Sequence, residues 1–397
     1  MQKKNRDPRI LAVLLLGTMV FFALFDSPKN ILIPAYKQSF EIENTVMGSM
    51  VFASSIIFTI MTYFSEKICG KLGHQKMIAV GLIGLIAIGF GIWQVQSAAM
   101  FAALYVGQAV FVAPLVFGLN TLVPLIPVRN SALLMNLLHF GYSFGAMTMS
   151  KSIGLLLGRG YVWPQVYFMT SLGLLAILLL NILIRYPLAS PQTVQSHGQV
   201  KGNLSLKNPL LLGITGAFAA SIVAESALGQ WFSNYMVESF GFAVNEAANL
   251  LFIYLALHAI GRLFGGFVAG RLGPQRTLVA SLAIAASLTL VGIMLKSNGL
   301  YLIAVAGLFL SINYPTSLLL AQSLFPNQSV RATSLVLTSI SFINMFTGIV
   351  VGALNDWITA YTTFLIIPVM LSISLAFHGF VWVQGRRLKL AMEKMGS

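Results

Sequence analysis

Apolar runs of about 20 residues, each long enough to cross the hydrocarbon core of a bilayer, follow one another from residue 10 to residue 384. They can be drawn at 10–36, 45–66, 77–96, 99–126, 131–157 and 164–185, then at 209–237, 246–270, 277–295, 299–323, 331–355 and 359–384. In lipid every backbone N–H and C=O must be satisfied within the protein, so runs of this length are helices. The sequence therefore predicts an all-α membrane protein with twelve transmembrane helices. Only 9% of the residues are charged, against about 25% in soluble domains. The opening Met1-Gln-Lys-Lys-Asn-Arg-Asp-Pro-Arg9 is basic like the start of a signal peptide. The run behind it is too long, and too soon followed by another span, to be cleaved; it reads as a retained first helix. The single cysteine, Cys69, excludes an intramolecular disulfide framework.

A net charge of +14 would suit a nucleic-acid binder, but the distribution of the charge speaks for topology. With the N-terminus in the cytoplasm, only Lys37, Arg159 and Lys296 fall in segments on the far side, and Lys29, Lys151 and Arg262 fall within spans. All other Lys and Arg residues face the cytoplasm, which places both termini there in a multi-pass protein of the cell membrane. Membrane lipids are expected partners through their anionic headgroups. No nucleic acid is expected, and the protein is read as a monomer.

The one long polar connection, 186–208, is rich in Pro, Ser, Gln and Gly. It divides an N-terminal six-helix half, 1–185, from a C-terminal half, 209–397, that ends in a basic tail. The halves are repeats. Gly70-Lys-Leu-Gly-His-Gln-Lys76 follows the second span, and Gly270-Arg-Leu-Gly-Pro-Gln-Arg276 follows the eighth. Gly70, Lys71, Gly73, Gly270, Arg271 and Gly273 are thus candidate elements of a conformational gate. Parallel halves of this kind, with a site between them at mid-membrane, describe one known transporter architecture.

Polar groups buried in the spans are the candidate site. A charge at the bilayer centre costs roughly 3 kcal/mol or more, so it marks a cavity, a partner or a function. Asp26, Lys29 and Asn30 share one helical face, and Pro28 between them invites a kink. Asp26 and Glu225 are candidates for cation coupling, because intramembrane carboxyl groups serve as proton relays; for Asp26 the alternative is simple neutralisation of Lys29. Lys29 either pairs with an acid or grips an anionic solute. Lys151 and Arg262 lie close enough to span ends to reach the headgroups. His139 forms a polar stripe with Asn136 and Ser143, and His258 shares a face with Arg262. Asn120, Asn313 and Asn344 offer paired donors and acceptors, and Trp231 a stacking face, although amides also join helices. Gly261, Gly265 and Gly266 read as close helix packing. No Walker motif, paired Cys/His metal ligands or nucleophile elbow occurs, so no cofactor, metal or enzymatic turnover is expected.

The two loops resemble the signature loop of the major facilitator superfamily, Gly-x-x-x-Asp-basic-x-Gly-basic-basic. The Asp position is Gly70 in one copy and Gly270 in the other, and the first Gly is Glu66 in the first copy and Gly266 in the second. The missing Asp implies that the superfamily's charge–dipole latch holds the outward-open state less firmly here, with Glu66 either a substitute or a solvated interfacial carboxylate. Within the superfamily, Asn30-Ile-Leu-Ile-Pro34, Gly118-Leu-Asn-Thr-Leu-Val123, Asn136-Leu-Leu-His-Phe-Gly-Tyr-Ser-Phe-Gly-Ala146 and Ala224-Glu-Ser-Ala-Leu-Gly-Gln-Trp231 resemble the fucose/glucose permease group of sugar–cation symporters. Tyr314-Pro-Thr-Ser-Leu-Leu-Leu320 is a weaker match. Two acids of the proton-coupled members are absent here, replaced by Asn30 and Val116, while Glu225 matches. The resemblance implies proton-coupled transport of a small sugar-like or sugar-acid solute by alternating access. Efflux of amphipathic compounds, and a lipid translocase or transporter-shaped sensor, are the alternatives; Met- and Phe-lined pockets would favour them over a site of amides and one Trp.

Overall fold

The computed structural model describes residues 8–127, 131–184, 204–205 and 207–395; the linker reading, apart from Leu204, Ser205, Lys207 and Asn208, and the basic residues of 1–7 lie outside them. All regular elements among the described residues are helices. Ten are long and apolar enough to cross a membrane. One of these, Asn44–Trp93, has 50 residues but is interrupted at Gly73, whose backbone is not helical (φ +75°, ψ +162°), and so is two helices, spans two and three, that meet at a kink. Ser131–Gly158, 28 residues long, is more polar but of spanning length, and completes the twelve.

The chain forms two compact units, Met1–Ser196 with Ala243–Phe252, and His197–Phe242 with Ile253–Ser397. In the first unit span one packs against span five (Ser131–Gly158) and span six (Trp163–Leu183). Spans two and three pack against span four (Ala98–Gly107 and Ala109–Leu122) and span six. In the second unit span seven (Pro209–Phe240) packs against span eleven (Ser329–Met345 and Thr347–Trp357) and the long helix of span twelve, Ile366–Met395. Span nine (Pro274–Met294) packs against span ten (Leu300–Leu310 and Asn313–Leu324) and against the same span-twelve helix. Span eight, Val244–Leu272, starts in one unit and continues in the other. Its first residues pair with span five: Ser150 Oγ donates to the Ala248 carbonyl at 2.8 Å, and Lys151 Nζ to Asn249 Oδ1 at 2.9 Å. Lys151 is exposed as a headgroup-seeking lysine would be, yet it has this protein acceptor as well.

Span one is broken where the sequence places its prolines. Pro28 has no N–H to give to the preceding turn, and the helix Pro8–Asp26 stops, is followed by the single turn Pro28–Ile31, and resumes as Ile33–Phe40. The break is held from span six and from within: Tyr36 Oη donates to the Pro28 carbonyl at 3.1 Å and lies 2.8 Å from Tyr167 Oη. A carbonyl cannot donate, so the Tyr36 proton is used on Pro28 and Tyr167 donates to Tyr36. Both rings are fully buried, and Tyr36 also meets Phe101 and Trp163.

Two of the three glycines read as packing contacts are that: a Cβ at Gly261 would overlap the Leu308 carbonyl and the Ser311 hydroxyl, and one at Gly265 would press on Ile312 at 2.9 Å. Gly266 faces open space. Gly261→Val should therefore cost about 1–3 kcal/mol of overpacking, seen as a thermal midpoint lowered by several degrees in detergent. Gly266→Val, with the same change of side chain, should leave the midpoint within about a degree.

Candidate functional site

Each unit carries its own cluster of ionisable groups. In the first, the break at Pro28 places Asp26 at the last turn of one helix and Lys29 in the next, and the two side chains meet: Lys29 Nζ lies 2.7 Å from Asp26 Oδ1. Tyr142 of span five donates to the other oxygen, Oδ2, also at 2.7 Å. Both bonds have the short length of charge-assisted contacts, and together they engage both carboxylate oxygens. The Asp26 side chain is 4% exposed and that of Lys29 30%, so the acid is enclosed while the ammonium keeps an open side. Phe22, one turn before Asp26, lies against the Tyr142 ring at 5.8 Å between centroids and supports the hydroxyl's aim. Asn30 is half-buried beside the pair.

In the second unit, Glu225 of span seven meets His258 and Arg262 of span eight. His258 Nε2 is 3.0 Å from Glu225 Oε1, and Arg262 Nη2 is 3.8 Å from the same oxygen. His258 and Arg262 are four residues apart and share a helix face, so one turn of span eight presents both to one carboxyl group. Glu225 Oε2 is buried without a hydrogen-bond partner among the described residues. Tyr254, a turn before His258, lies against it at 5.8 Å with the rings tilted, and is itself braced by Phe232. A single proton on the Glu225–His258 axis serves either as the imidazole N–H or as the carboxylic O–H, and the 3.0 Å separation suits both.

The remaining candidates divide by what their polar atoms already do. Asn313 is fully buried: its Nδ2 donates to Ser221 Oγ at 2.8 Å, and its Oδ1 accepts from Ser317 at 3.1 Å. It joins span ten to span seven. Asn120 donates to the Val116 carbonyl of its own helix, at 2.8 Å, and Asn344 Oδ1 accepts from Thr347 at 3.2 Å. Trp231 is completely enclosed, with its indole N–H unpartnered among the described residues. Asn136 and His139 are exposed. Tyr142 and Tyr254 complete the two clusters and were not singled out from the sequence. Tyr142 stands in the quoted span-five motif three residues after His139, and Tyr254 one turn before His258; helical spacing was the available signal for each.

The repeated loops show matching backbone. Gly73 has φ +75° and Gly273 φ +83°, a region that side chains rarely allow. Lys71 and Arg271 are exposed, and a Cβ at Gly70 or Gly270 would touch nothing within 4 Å.

Twelve spans, with a charged cluster in each of the two compact units, resemble the architecture of secondary transporters built from parallel repeats. The family model of the Major Facilitator Superfamily matches residues 214–390. The E. coli fucose:proton symporter FucP is 21% identical, the alignment covering 95% of this chain and 99% of that one with a TM-score of 0.59. A bacterial homologue of the human lysosomal transporter Spinster is 14% identical, over 94% and 96% of the two chains, with a TM-score of 0.77. The cis,cis-muconate transport protein of Acinetobacter baylyi is 22% identical over 314 residues, 74% of this chain and 73% of that one. The family match thus covers most of the second half of the chain, and over nearly its whole length the fold is similar to that of Major Facilitator Superfamily transporters.

Removing one charge of the first pair strands the other. Asp26→Asn should lower stability by about 2 kcal/mol, under the 3–5 kcal/mol of a fully buried pair because Lys29 keeps an open side. Adding Lys29→Gln should recover most of the lost thermal midpoint. A double variant no more stable than the single would show that the pair's charge balance is not what Asp26 supplies.

Proposed function

We propose that the protein is a secondary active transporter that moves a small polar, sugar-like solute across the cytoplasmic membrane by alternating access, coupled to protons, with both termini in the cytoplasm. The coupling reading is carried by Glu225. Its Oε1 shares a proton position with His258 while Oε2 is buried and has no partner among the described residues. Ionised, the carboxyl group balances Arg262 at 3.8 Å; protonated on Oε1, it donates to His258 Nε2 and no longer offsets the Arg262 charge. Proton uptake at this one residue therefore changes which charges in the second half are balanced, which is what a coupling site must do.

Charge balance also supports a neutral solute. Lys29 is compensated by Asp26 and Arg262 by Glu225, so the two clusters offer a ligand hydrogen bonds more readily than net charge. Hydroxylated solutes fit such groups, and fold neighbours include the fucose:proton symporter and a D-xylose-proton symporter. The muconate relative favours a second reading, an organic or sugar acid. Such an anion would compete with Asp26 for Lys29, or with Glu225 for Arg262.

Reconstituted vesicles under an imposed pH gradient test the coupling with labelled sugars and their sugar acids. Wild type should accumulate a labelled solute against its gradient. Glu225→Gln should abolish accumulation, at least tenfold below wild type, while sparing solute exchange, which needs no net proton movement. Full accumulation by the variant would remove Glu225 from the mechanism.

A further inference from the structure

Gln75 and Gln275 occupy the same place in the two loop repeats, two residues after the glycines of positive φ. In the first half, Gln75 Nε2 donates to the Asn181 carbonyl at 2.8 Å and to the Ile184 carbonyl at 3.0 Å. Span six ends at Leu183 with Ile184 already extended, so its last carbonyls lack helical partners, and the two protons of one amide nitrogen fit two such acceptors. In the second half, Gln275 Nε2 donates to the His378 carbonyl at 2.9 Å. That acceptor lies inside the continuous helix Ile366–Met395, so the amide takes a second lone pair on a carbonyl already in the helical ladder. The charged positions of the same loops do otherwise: Lys71, Lys76, Arg271 and Arg276 are exposed.

We propose that Gln75 and Gln275 are positioning residues of the transport cycle, each tying the hairpin between two consecutive spans to the sixth span of its own half by amide-to-carbonyl hydrogen bonds, so that each half turns as a solid body. An internal amide lock thus stands where the loop signature has lost its acidic residue. The proposal rests on the transporter reading for its role in a cycle, but the lock itself is a property of each half. The chemistry is directional. Glutamate has the shape of glutamine but, ionised, has no proton to give, and its charge is disfavoured at a helix C-terminus. Arginine supplies several N–H donors and a charge that the C-terminus favours. Arginine should therefore restore the lock at position 75, where the acceptors end a helix.

The test uses full-length protein with Cys69→Ser and nitroxides on Leu72→Cys and Tyr161→Cys, both exposed and at opposite ends of the first half. The distance distribution should be narrow with Gln75, broad in Gln75→Glu and narrow again in Gln75→Arg. If Gln75→Glu does not fold, Gln75→Leu, of similar bulk and without a donor, is measured in its place. Solute exchange should slow about tenfold in the broadened variant, the worth of one or two hydrogen bonds, at unchanged half-saturating concentration. An unchanged distribution in the variant lacking a donor overturns the proposal. So does broadening that arginine fails to reverse, because shape and not donation would then hold the hairpin. The spin-label readout needs no solute, so it stands or falls separately from the assignment of transport.

Discussion

A cation within an apolar bundle persists only with a counter-charge close by, since the alternative is an ion stripped of water without compensation. This chain meets the requirement twice, in different ways. In the first half the answer is local: Lys29 and Asp26 lie three residues apart at 2.7 Å, across a helix break. In the second it joins two spans, with Glu225 on one and His258 and Arg262 on the next. The local pair is tight and uses both carboxylate oxygens once Tyr142 is counted. The second pair is looser, at 3.8 Å to the guanidinium, and leaves one carboxylate oxygen without a partner among the described residues. A structural anchor wants the first arrangement; a group that gains and loses a proton is better served by the second.

Backbone punctuation decides where these groups stand. Pro28 ends the first helix so that Asp26 and Lys29 fall on either side of a turn, and the Tyr36–Tyr167 pair spends its protons holding that turn. Glycines do the equivalent work elsewhere. Gly73 and Gly273 allow the reversal in both loop repeats, and Gly261 lets span eight approach span ten closely enough to keep Arg262 and His258 on a fixed face.

Much of this was legible because membrane helices obey simple periodicities. Hydropathy located the spans, and the non-helical backbone at Gly73 separates spans two and three within the 50-residue stretch Asn44–Trp93. The i, i+3 spacing placed Asp26 beside Lys29, and the i, i+4 spacing placed His258 with Arg262. What periodicity does not contain is the partner on another helix. Glu225 and His258 are 33 residues apart and Asp26 and Tyr142 116 apart, and no local pattern pairs them. The amides show the same limit from the other side. Asn313 looks alike in sequence whether it awaits a solute or joins Ser221 to Ser317, and in an apolar interior a neighbouring helix often supplies the partner. Lys151 could be read as seeking headgroups, yet the start of span eight provides Asn249 as an acceptor.

The central claim is that the membrane-embedded cations are balanced by the protein's own carboxylates and are not reserved for an anionic solute. Calorimetric binding of a neutral sugar and its matched sugar acid, to wild type and to Lys29→Gln, addresses it directly. The account predicts similar losses of affinity for both ligands, because the substitution disturbs Asp26 and Tyr142 and not a ligand charge. A loss confined to the sugar acid, of tenfold or more, would contradict it and make Lys29 the residue that reads the solute's charge.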